Sequence, residues 1–473
     1  MHREDIIKNL KVLFIKFSRA SSCKIEEIPH AVSSRKYFRI FGPGKTLIGT
    51  YSPDKRETAA FLSFSSVFRS LDIMVPEVYE VSDEGVFYLQ EDLGDTRLHE
   101  LVVRRNKPEL DGKILNTYKS AIDQLVRLQI ESDKEVNYAL CVPRSTFDRQ
   151  SVMWDLYHFK YYFLKLSGIS FDEQILEDAF LNLADSITAI KPKGFMFRDF
   201  QSRNIIIKDD KTYLIDFQGG RKGPLLYDIA SLVFEAKASL TDADRDQLVR
   251  YYLDRLAVQG IDVTEKNLNG FYLMALIRIL QALGAYGLRG KIEKRAVFIQ
   301  SIPAGLSNLE KVVNQVSSVI DPYLYSLLLD LSKLKSNYQY MPEAFSGLTV
   351  TIYSFSYRKP VPDDITGNGG GFVYDCRFLK NPGKFDAYRD LTGLQKPVSD
   401  FLEKQKEVID YIDLIKSQLK AVVKSYQKRN YHTLMVAFGC TGGRHRSVYT
   451  AHKIADWLSA FEGLKVIEIH REL

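Results

Sequence analysis

The sequence predicts a bilobal α+β fold, with a small β-rich N-terminal lobe and a mostly helical second lobe, followed by a small α/β domain. Short strand-like runs and tight turns fill the first lobe, and helical apolar spacing dominates the second. After Leu348 strands alternate with long helices, which is the pattern of an α/β domain. We therefore place the first lobe at 1–93, the second at 94–335, a polar linker at 336–347 and the α/β domain at 348–473.

Composition is that of an ordinary globular protein, and 473 residues are too many for one compact core. The net charge of +6 suits phosphate-bearing ligands without requiring nucleic acid. The four cysteines (Cys23, Cys141, Cys376 and Cys440) are scattered, which excludes a disulfide framework and a clustered zinc site. Since no stretch reads as apolar enough to span a bilayer, we expect a cytoplasmic protein without membrane contact.

In the first lobe, Tyr37–Phe41 and Thr46–Ser52 flank a Gly-Pro-Gly-Lys turn and predict a β-hairpin. One helix is expected from about Lys55 to Arg69, and Val86–Leu89 is a further strand. The run from Gly42 to Thr46 is similar to the end of a phosphate-binding P-loop. Its position in a hairpin rather than before a helix makes it a turn.

The second lobe holds the most informative segment, Phe-Arg-Asp-Phe-Gln-Ser-Arg-Asn at 197–204. Asp199 and Asn204 lie in a loop that leads into a strand, and Asp209-Asp210-Lys211 turns the chain. The returning strand ends at Asp216, so the hairpin predicts that three oxygen-bearing side chains converge.

Phosphoryl transfer requires this convergence. One carboxylate orients the acceptor hydroxyl and takes its proton, while an Asn and a second Asp hold Mg²⁺ against the nucleotide phosphates. We assign Asp199 as the catalytic base and Asn204 with Asp216 as the metal ligands.

The segment resembles the catalytic loop and metal-binding Asp of the aminoglycoside phosphotransferase/choline kinase superfamily, which implies a protein-kinase-like fold that uses ATP and Mg²⁺. Phe197 stands where those enzymes usually have His. Asp228 lies in a segment, Gly223–Ala230, that is similar to the family's helix-opening motif. We expect Asp228 to cap the catalytic loop rather than to react.

Within the superfamily the chain is most similar to bacterial anomeric kinases of N-acetylmuramate and N-acetylglucosamine (AmgK type), which serve cell-wall sugar recycling. The resemblance rests on Ser34–Arg39, Thr146–Gln150, Trp154–Phe159 and the Gln218 that follows Asp216-Phe217. It implies an amino-sugar acceptor, with Asp155 and Phe159 on the acceptor side.

On the nucleotide side the resemblance implies Arg39, Glu91 and Leu93, the last two through their backbone groups. The strand Leu47–Tyr51 lacks the lysine that most kinases carry there, so Arg39 or Lys36 is expected to reach the phosphates. Glu57 is interpreted as an exposed acid at a helix start.

In the α/β domain, the strand ending at Phe438 runs into a glycine-rich loop that opens a helix. Glycines let backbone N–H groups approach a ligand, and a helix N-terminus adds positive potential. The loop predicts an anion site, formed by Cys440, Thr441, Gly442, Gly443, Arg444, His445 and Arg446.

Residues 348–473 resemble the RapZ C-terminal domain, on the segments Tyr374–Pro382 and Leu391–Val398 and on the whole loop. The resemblance implies that the domain binds an amino-sugar phosphate such as glucosamine-6-phosphate, with Asp375 and Arg377 lining the pocket. Some members of that family bind RNA. Here the basic stretch Lys420–Arg429 reads as a solvated helix face, so RNA is not expected.

Two alternatives remain open. Cys440 and Arg446 have the Cys-x5-Arg spacing of cysteine phosphatases, in which the loop binds phosphate and activates the thiol. The whole chain could also be a catalytically dead kinase fold that serves as a metabolite sensor or RNA-binding adaptor. The missing strand lysine favours the adaptor, and the intact set of Asp199, Asn204 and Asp216 favours the enzyme.

Overall fold

A computed structural model of the chain describes residues 1–29, 34–261, 265–338, 345–364 and 371–473. Half of the predicted linker 336–347, residues 339–344, lies outside the described residues. The chain folds into two compact units. The first consists of Met1–Leu156, Asp172–Leu280 and Asn308–Leu329, and the second of Tyr157–Phe171, Gln281–Ser307 and Asp330–Leu473.

The N-terminal lobe is a five-stranded antiparallel sheet with two helices, one more than predicted. Its elements are α1 (Arg3–Ser18), β1 (Lys24–Ile28), β2 (Lys36–Gly42), β3 (Lys45–Tyr51), α2 (Lys55–Ser70), β4 (Val78–Val81) and β5 (Phe87–Glu91). The strand order is β1-β2-β3-β5-β4. Gly42 pairs with Lys45 at the end of the β2–β3 ladder, so the P-loop-like run is a hairpin turn as predicted.

One face of this sheet packs on α1. Phe38 and Ile40 of β2, Leu47 of β3 and Leu89 of β5 are buried with Leu10 in a single apolar cluster. Because side chains alternate across a strand, the intervening residues of β2 point to the opposite face. That opposite face borders the cleft described below.

Helices dominate the middle of the chain. The elements are α3 (Leu98–Val103), α4 (Gly112–Ile130), α5 (Arg149–Phe159), α6 (Glu173–Thr188), β6 (Lys193–Met196), β7 (Ile205–Lys208), β8 (Lys211–Leu214), β9 (Arg221–Pro224), α7 (Leu226–Val233), α8 (Asp242–Val258), α9 (Glu265–Tyr286), α10 (Ala296–Ile299), α11 (Ile302–Gln315) and α12 (Pro322–Ser332). The predicted hairpin is β7–β8. A second short ladder, β6–β9, brackets the same loop region and was not predicted.

The helical stretch Leu268–Ile292 is long and apolar enough, by length and composition alone, to cross a membrane, with a mean hydropathy of 1.5. The expectation that the chain holds no such stretch is therefore wrong. Two-thirds of its most apolar window (67%) is buried inside the protein, as in the core helix of a globular fold.

The C-terminal domain is built on a parallel sheet. Its elements are β10 (Leu348–Ser356), β11 (Phe372–Asp375), α13 (Lys396–Glu403), α14 (Lys406–Lys428), β12 (Thr433–Cys440), α15 (Arg446–Ser459) and β13 (Leu464–His470). The strand order is β11-β12-β10-β13, with every neighbouring pair parallel. The single helix expected at 397–428 is two helices, because Gln405 adopts an extended conformation (φ −93°, ψ 118°) between them.

Gly287 marks a close approach between two chain segments of the second unit. A Cβ at this position would fall far inside contact distance of the Tyr162 carbonyl oxygen, which is backbone and cannot rotate away. We expect Gly287→Ala to lower the free energy of unfolding by about 1–3 kcal/mol, because backbone must shift to admit the methyl group. Urea denaturation of the full chain measures this loss.

Gly112→Ala is the matched control, because nothing lies within 4 Å of the Cβ it adds at the start of α4. This variant should be neutral or gain up to about 1 kcal/mol from reduced freedom of the unfolded chain. Equal denaturation midpoints for the two variants would contradict the role of Gly287.

Candidate functional site

The loop between β6 and β7 is held by one buried carboxylate. Asp228 is fully buried, and its oxygens accept hydrogen bonds from the backbone N–H groups of Phe197 (2.8 Å) and Arg198 (2.9 Å). The Gln129 side chain donates a third bond, at 2.9 Å. Burial raises the pKa of Asp228 to about 7, against the lowering effect of these donors. Asp228 thus caps the loop, as the sequence predicted.

The hairpin brings the predicted metal ligands beside this loop. The Asn204 side chain donates to the Asp199 carbonyl oxygen (2.8 Å), and the Asn204 carbonyl accepts from the Ile215 N–H (3.0 Å). Asp209 and Asp210 have φ of 51° and 56°, the left-handed geometry of a two-residue hairpin turn. The ladder therefore ends with Asp216 next to the loop that holds Asn204.

Asn204 and Asp216 border one cleft of about 150 Å³, which the predicted nucleotide residues Arg39, Glu91 and Leu93 also line. Within the described residues no group of three or more His, Cys, Asp or Glu side chains is placed to hold a metal alone. One carboxylate and one amide oxygen fit Mg²⁺, which is commonly bound by one or two protein ligands together with the substrate's phosphates.

The nucleotide residues have protein partners of their own. Arg39 donates to Asp92 and Asp95 at 2.8–3.1 Å, and these carboxylates raise its pKa. The Glu91 carboxylate accepts from Lys208 at 2.7 Å, and its backbone N–H donates to the Glu77 carbonyl at 2.8 Å.

On the predicted acceptor side, the Asp155 carboxylate accepts two hydrogen bonds, of 2.6 and 2.7 Å, from the guanidinium of Arg198, a residue with a φ of 83°. Phe159 is fully buried and stacks on Phe163 with ring centroids 6.2 Å apart. Neither Asp155 nor Phe159 lines the cleft that Asn204 and Asp216 border.

Two residues of the site were missed or misread in the sequence. Arg278, on α9, is 5% exposed, and its Nη2 lies 3.2 Å from Asp199 Oδ1 while its Nε donates to Ser231 (2.9 Å). An arginine inside an otherwise apolar helix was the available signal. Glu57 was interpreted as an exposed acid at a helix start, and it does lie in the first turn of α2. It also accepts from the buried Arg35 at 2.8 Å.

Family models match both parts of the chain. The model of the phosphotransferase enzyme family matches residues 24–265, just over half of the chain. The chain belongs to this family. The model of the RapZ C-terminal domain matches residues 348–473, so the resemblance of these residues to that domain is confirmed as well.

Similar proteins match parts of this chain. A nucleotide-binding protein of Thermodesulfovibrio yellowstonii and the RNase adapter protein RapZ of Yersinia enterocolitica are 34% and 33% identical over 175 residues. Each match covers 35% of this chain and 60% of the relative's length. Another nucleotide-binding protein, of Rhodospirillum centenum, is 41% identical over 126 residues, which is 27% of this chain and 36% of that protein.

Among solved structures, a choline kinase of Cryptosporidium parvum aligns with a TM-score of 0.48 and 12% identity, over 69% of this chain and 99% of that one. An ethanolamine kinase of Plasmodium vivax aligns with a TM-score of 0.45 and 13% identity, over 66% and 89% of the two chains. The family match and the elements themselves confirm the predicted kinase-like fold of the phosphotransferase domain, with its β-rich lobe and its helical lobe.

The loop after β12 is the second candidate site. Cys440 Sγ, 2% exposed, lies 3.2 Å from the Gly443 N–H and 3.1 Å from the Ser447 hydroxyl. Gly443 has a φ of 70°, and a Cβ there would collide with Glu472, so the turn requires glycine. His445 immediately precedes α15 and contacts the Tyr388 carbonyl at 3.0 Å.

The two arginines of this loop differ in their exposure to solvent and in their hydrogen bonds. Arg446 is buried and donates to the carbonyls of Arg377 (2.6 Å) and Leu379 (3.0 Å), while its Nε is buried and has no hydrogen-bond partner among the described residues. Arg444 is exposed, as are Thr441 and Gly442.

Asp375 and Arg377 were predicted to line a ligand pocket. They pair with each other at 2.7–3.0 Å, and the Arg377 guanidinium also lies 4.0 Å above the Tyr357 ring. The hydrogen bonds from Arg377 hold the pKa of Asp375 below its usual range. A ligand's ammonium group at Asp375 would therefore compete with Arg377.

The contact between Arg278 and Asp199 predicts how turnover depends on pH. Partial desolvation raises the pKa of Asp199, but the positive charges of Arg278, Arg198 and Arg203 outweigh it, so the pKa lies below its ordinary value. A base must be ionised to act, so the acid limb of the turnover profile should lie below about pH 4, the ordinary value for Asp. Arg278→Met should move that limb upward, because Asp199 loses a positive charge that lowers its pKa.

The measurement is kcat for acceptor-dependent ADP release between pH 3.5 and 8. Arg278→Lys keeps the charge and should restore most of the shift, which a purely structural role for Arg278 would not predict. An unchanged acid limb in Arg278→Met would show that this arginine does not tune the base.

Proposed function

We propose that the phosphotransferase domain transfers the γ-phosphoryl group of ATP to the anomeric hydroxyl of N-acetylmuramate or N-acetylglucosamine. The observation that carries the proposal is that one hairpin brings Asn204 and Asp216 to the lining of one cleft, while the Asn204 side chain donates to the carbonyl oxygen of Asp199, which does not line that cleft. Bound Mg²⁺, held by Asn204 and Asp216, would neutralise charge on the transferred phosphate.

Asp199 suits an acidic acceptor hydroxyl. The contact from Arg278 keeps the carboxylate ionised and makes it a weak base. An anomeric hydroxyl is part of a hemiacetal and loses its proton more readily than an ordinary alcohol. A weak base placed beside it is therefore adequate, which supports the anomeric position suggested by the resemblance at Trp154–Phe159 and Gln218.

The first test offers the full chain Mg-ATP with N-acetylmuramate, N-acetylglucosamine and their methyl glycosides. We expect ADP release with the free sugars and none with the methyl glycosides, because the methyl group removes the accepting hydroxyl. Asp199→Asn should lower kcat by at least about 100-fold, because the hydroxyl loses its base and orienting partner.

Asp209→Asn is the matched control, because it makes the same substitution in the adjoining hairpin turn, where Asn tolerates the left-handed conformation. Phosphorylation of a methyl glycoside would overturn the regiochemistry. No turnover with any acceptor in a sugar, choline and aminoglycoside panel would instead favour the adaptor alternative.

For the C-terminal domain we propose binding of an amino-sugar phosphate such as glucosamine-6-phosphate. The buried, unpartnered Nε of Arg446 and the glycine turn at the start of α15 support an oxyanion site in this loop. The buried Sγ of Cys440 and the engagement of Arg446 with backbone carbonyls make ligand binding a better account than phosphatase chemistry.

Isothermal titration of the full chain with glucosamine-6-phosphate should show saturable binding. Arg444→Ala should weaken it about tenfold through loss of an exposed cation, while Arg429→Ala, at the exposed end of α14, should leave it unchanged. The Cys440→Ser variant should also bind glucosamine-6-phosphate. Release of inorganic phosphate that stops in Cys440→Ser would establish the phosphatase alternative in its place.

A further inference from the structure

The nucleotide cleft needs a cation for the phosphates, and β3 does not supply it. Phosphoryl transfer depends on positive charge at the β- and γ-phosphates. The only lysine of β3 is Lys45, which pairs with Gly42 at the hairpin turn. Its Nζ lies 3.6 Å above the Tyr79 ring. The charge must therefore come from another element.

Because side chains alternate along β2, the basic residues at and near this strand lie on two different faces of the sheet. Phe38 and Ile40 face the apolar core under α1, so Lys36, two residues before Phe38, lies on that face too. Tyr37 and Arg39 line the cleft, and Arg35, which has the same parity, lines it with them. Lys36 is thereby excluded as the phosphate cation.

Arg39 faces the cleft but already has its counter-charges. Its guanidinium makes four contacts of 2.8–3.1 Å with Asp92 and Asp95, two acids for one cation. A phosphate at Arg39 would have to displace one of these carboxylates and then lie beside both. The expectation that Arg39 reaches the phosphates therefore has a rival in Arg35.

Arg35 lies next to the metal-binding carboxylate. Its side chain is 4% exposed, its Nη2 is 2.8 Å from Glu57 Oε2, and its Nη1 is 3.8 Å from Asp216 Oδ1. The second distance is an electrostatic approach rather than a hydrogen bond. Glu57, in the first turn of α2, thus fixes a guanidinium whose other edge points toward the carboxylate that would hold the metal.

We propose that Arg35, oriented by Glu57, binds the nucleotide's phosphates in place of the missing strand lysine. This inference rests on the proposed kinase function and deepens its nucleotide side. A guanidinium stays protonated throughout the working pH range and can bind two phosphate oxygens at once, which a lysine ammonium cannot do with fixed geometry. The ligand class is a nucleoside di- or triphosphate.

The test measures binding to the full chain without any acceptor, by titration with Mg-ATP, Mg-ADP and adenosine. In Arg35→Met the affinity for Mg-ATP should fall at least about tenfold while that for adenosine stays within about twofold. Glu57→Gln, which keeps a side chain of the same shape at the pair, should show a smaller loss for Mg-ATP. Lys36→Met removes the neighbouring cation from the other face of β2 and should bind like the wild type.

The outcomes separate the two proposals. Failure of the wild-type chain to bind any of the three ligands would overturn the proposed kinase function itself. Wild-type binding that Arg35→Met reproduces in full would overturn only the role of Arg35. Equal losses for adenosine and Mg-ATP in both Arg35→Met and Glu57→Gln would make the pair a structural ion pair and would likewise overturn it.

Discussion

The candidate catalytic loop depends on the hydrogen bonds that the buried Asp228 carboxylate accepts from two successive backbone N–H groups. They hold the backbone of Phe197 and Arg198 in place. Arg198 has a positive φ and its side chain reaches Asp155, while the next residue, Asp199, contacts Arg278. A carboxylate inside the fold is costly unless donors surround it, and here the donors are the loop itself and Gln129. Loop and carboxylate therefore stabilise each other.

The parts of the site set by local geometry could be predicted from the sequence. Asp199, Asn204 and Asp216 are separated by a short strand, a two-residue turn and a second strand, so one hairpin determines their convergence. The fold class followed in the same way from the spacing of apolar residues. Asp228 was predicted as a cap from the motif that surrounds it.

Contacts between distant segments could not be predicted in this way. Arg278 contacts Asp199, which lies 79 positions away in the sequence, and Arg35 contacts Glu57, which lies 22 positions away. Nothing in the neighbourhood of either arginine specifies its partner, because the partner is selected by packing of α9 and α2. The pairing of Asp375 with Arg377 is local, since the two residues are two positions apart, but from the sequence both side chains were assigned to a ligand instead.

The composition of the second compact unit has a consequence for synthesis. Its segments Tyr157–Phe171 and Gln281–Ser307 leave the ribosome long before Asp330–Leu473, with which they form that unit. The central strand β10 also pairs with β13, which is made more than a hundred residues after it begins. Non-local pairing of this kind forms late. The apolar surfaces of the early segments must stay soluble while the rest of the chain is made, which gives the nascent protein a reason to engage chaperones.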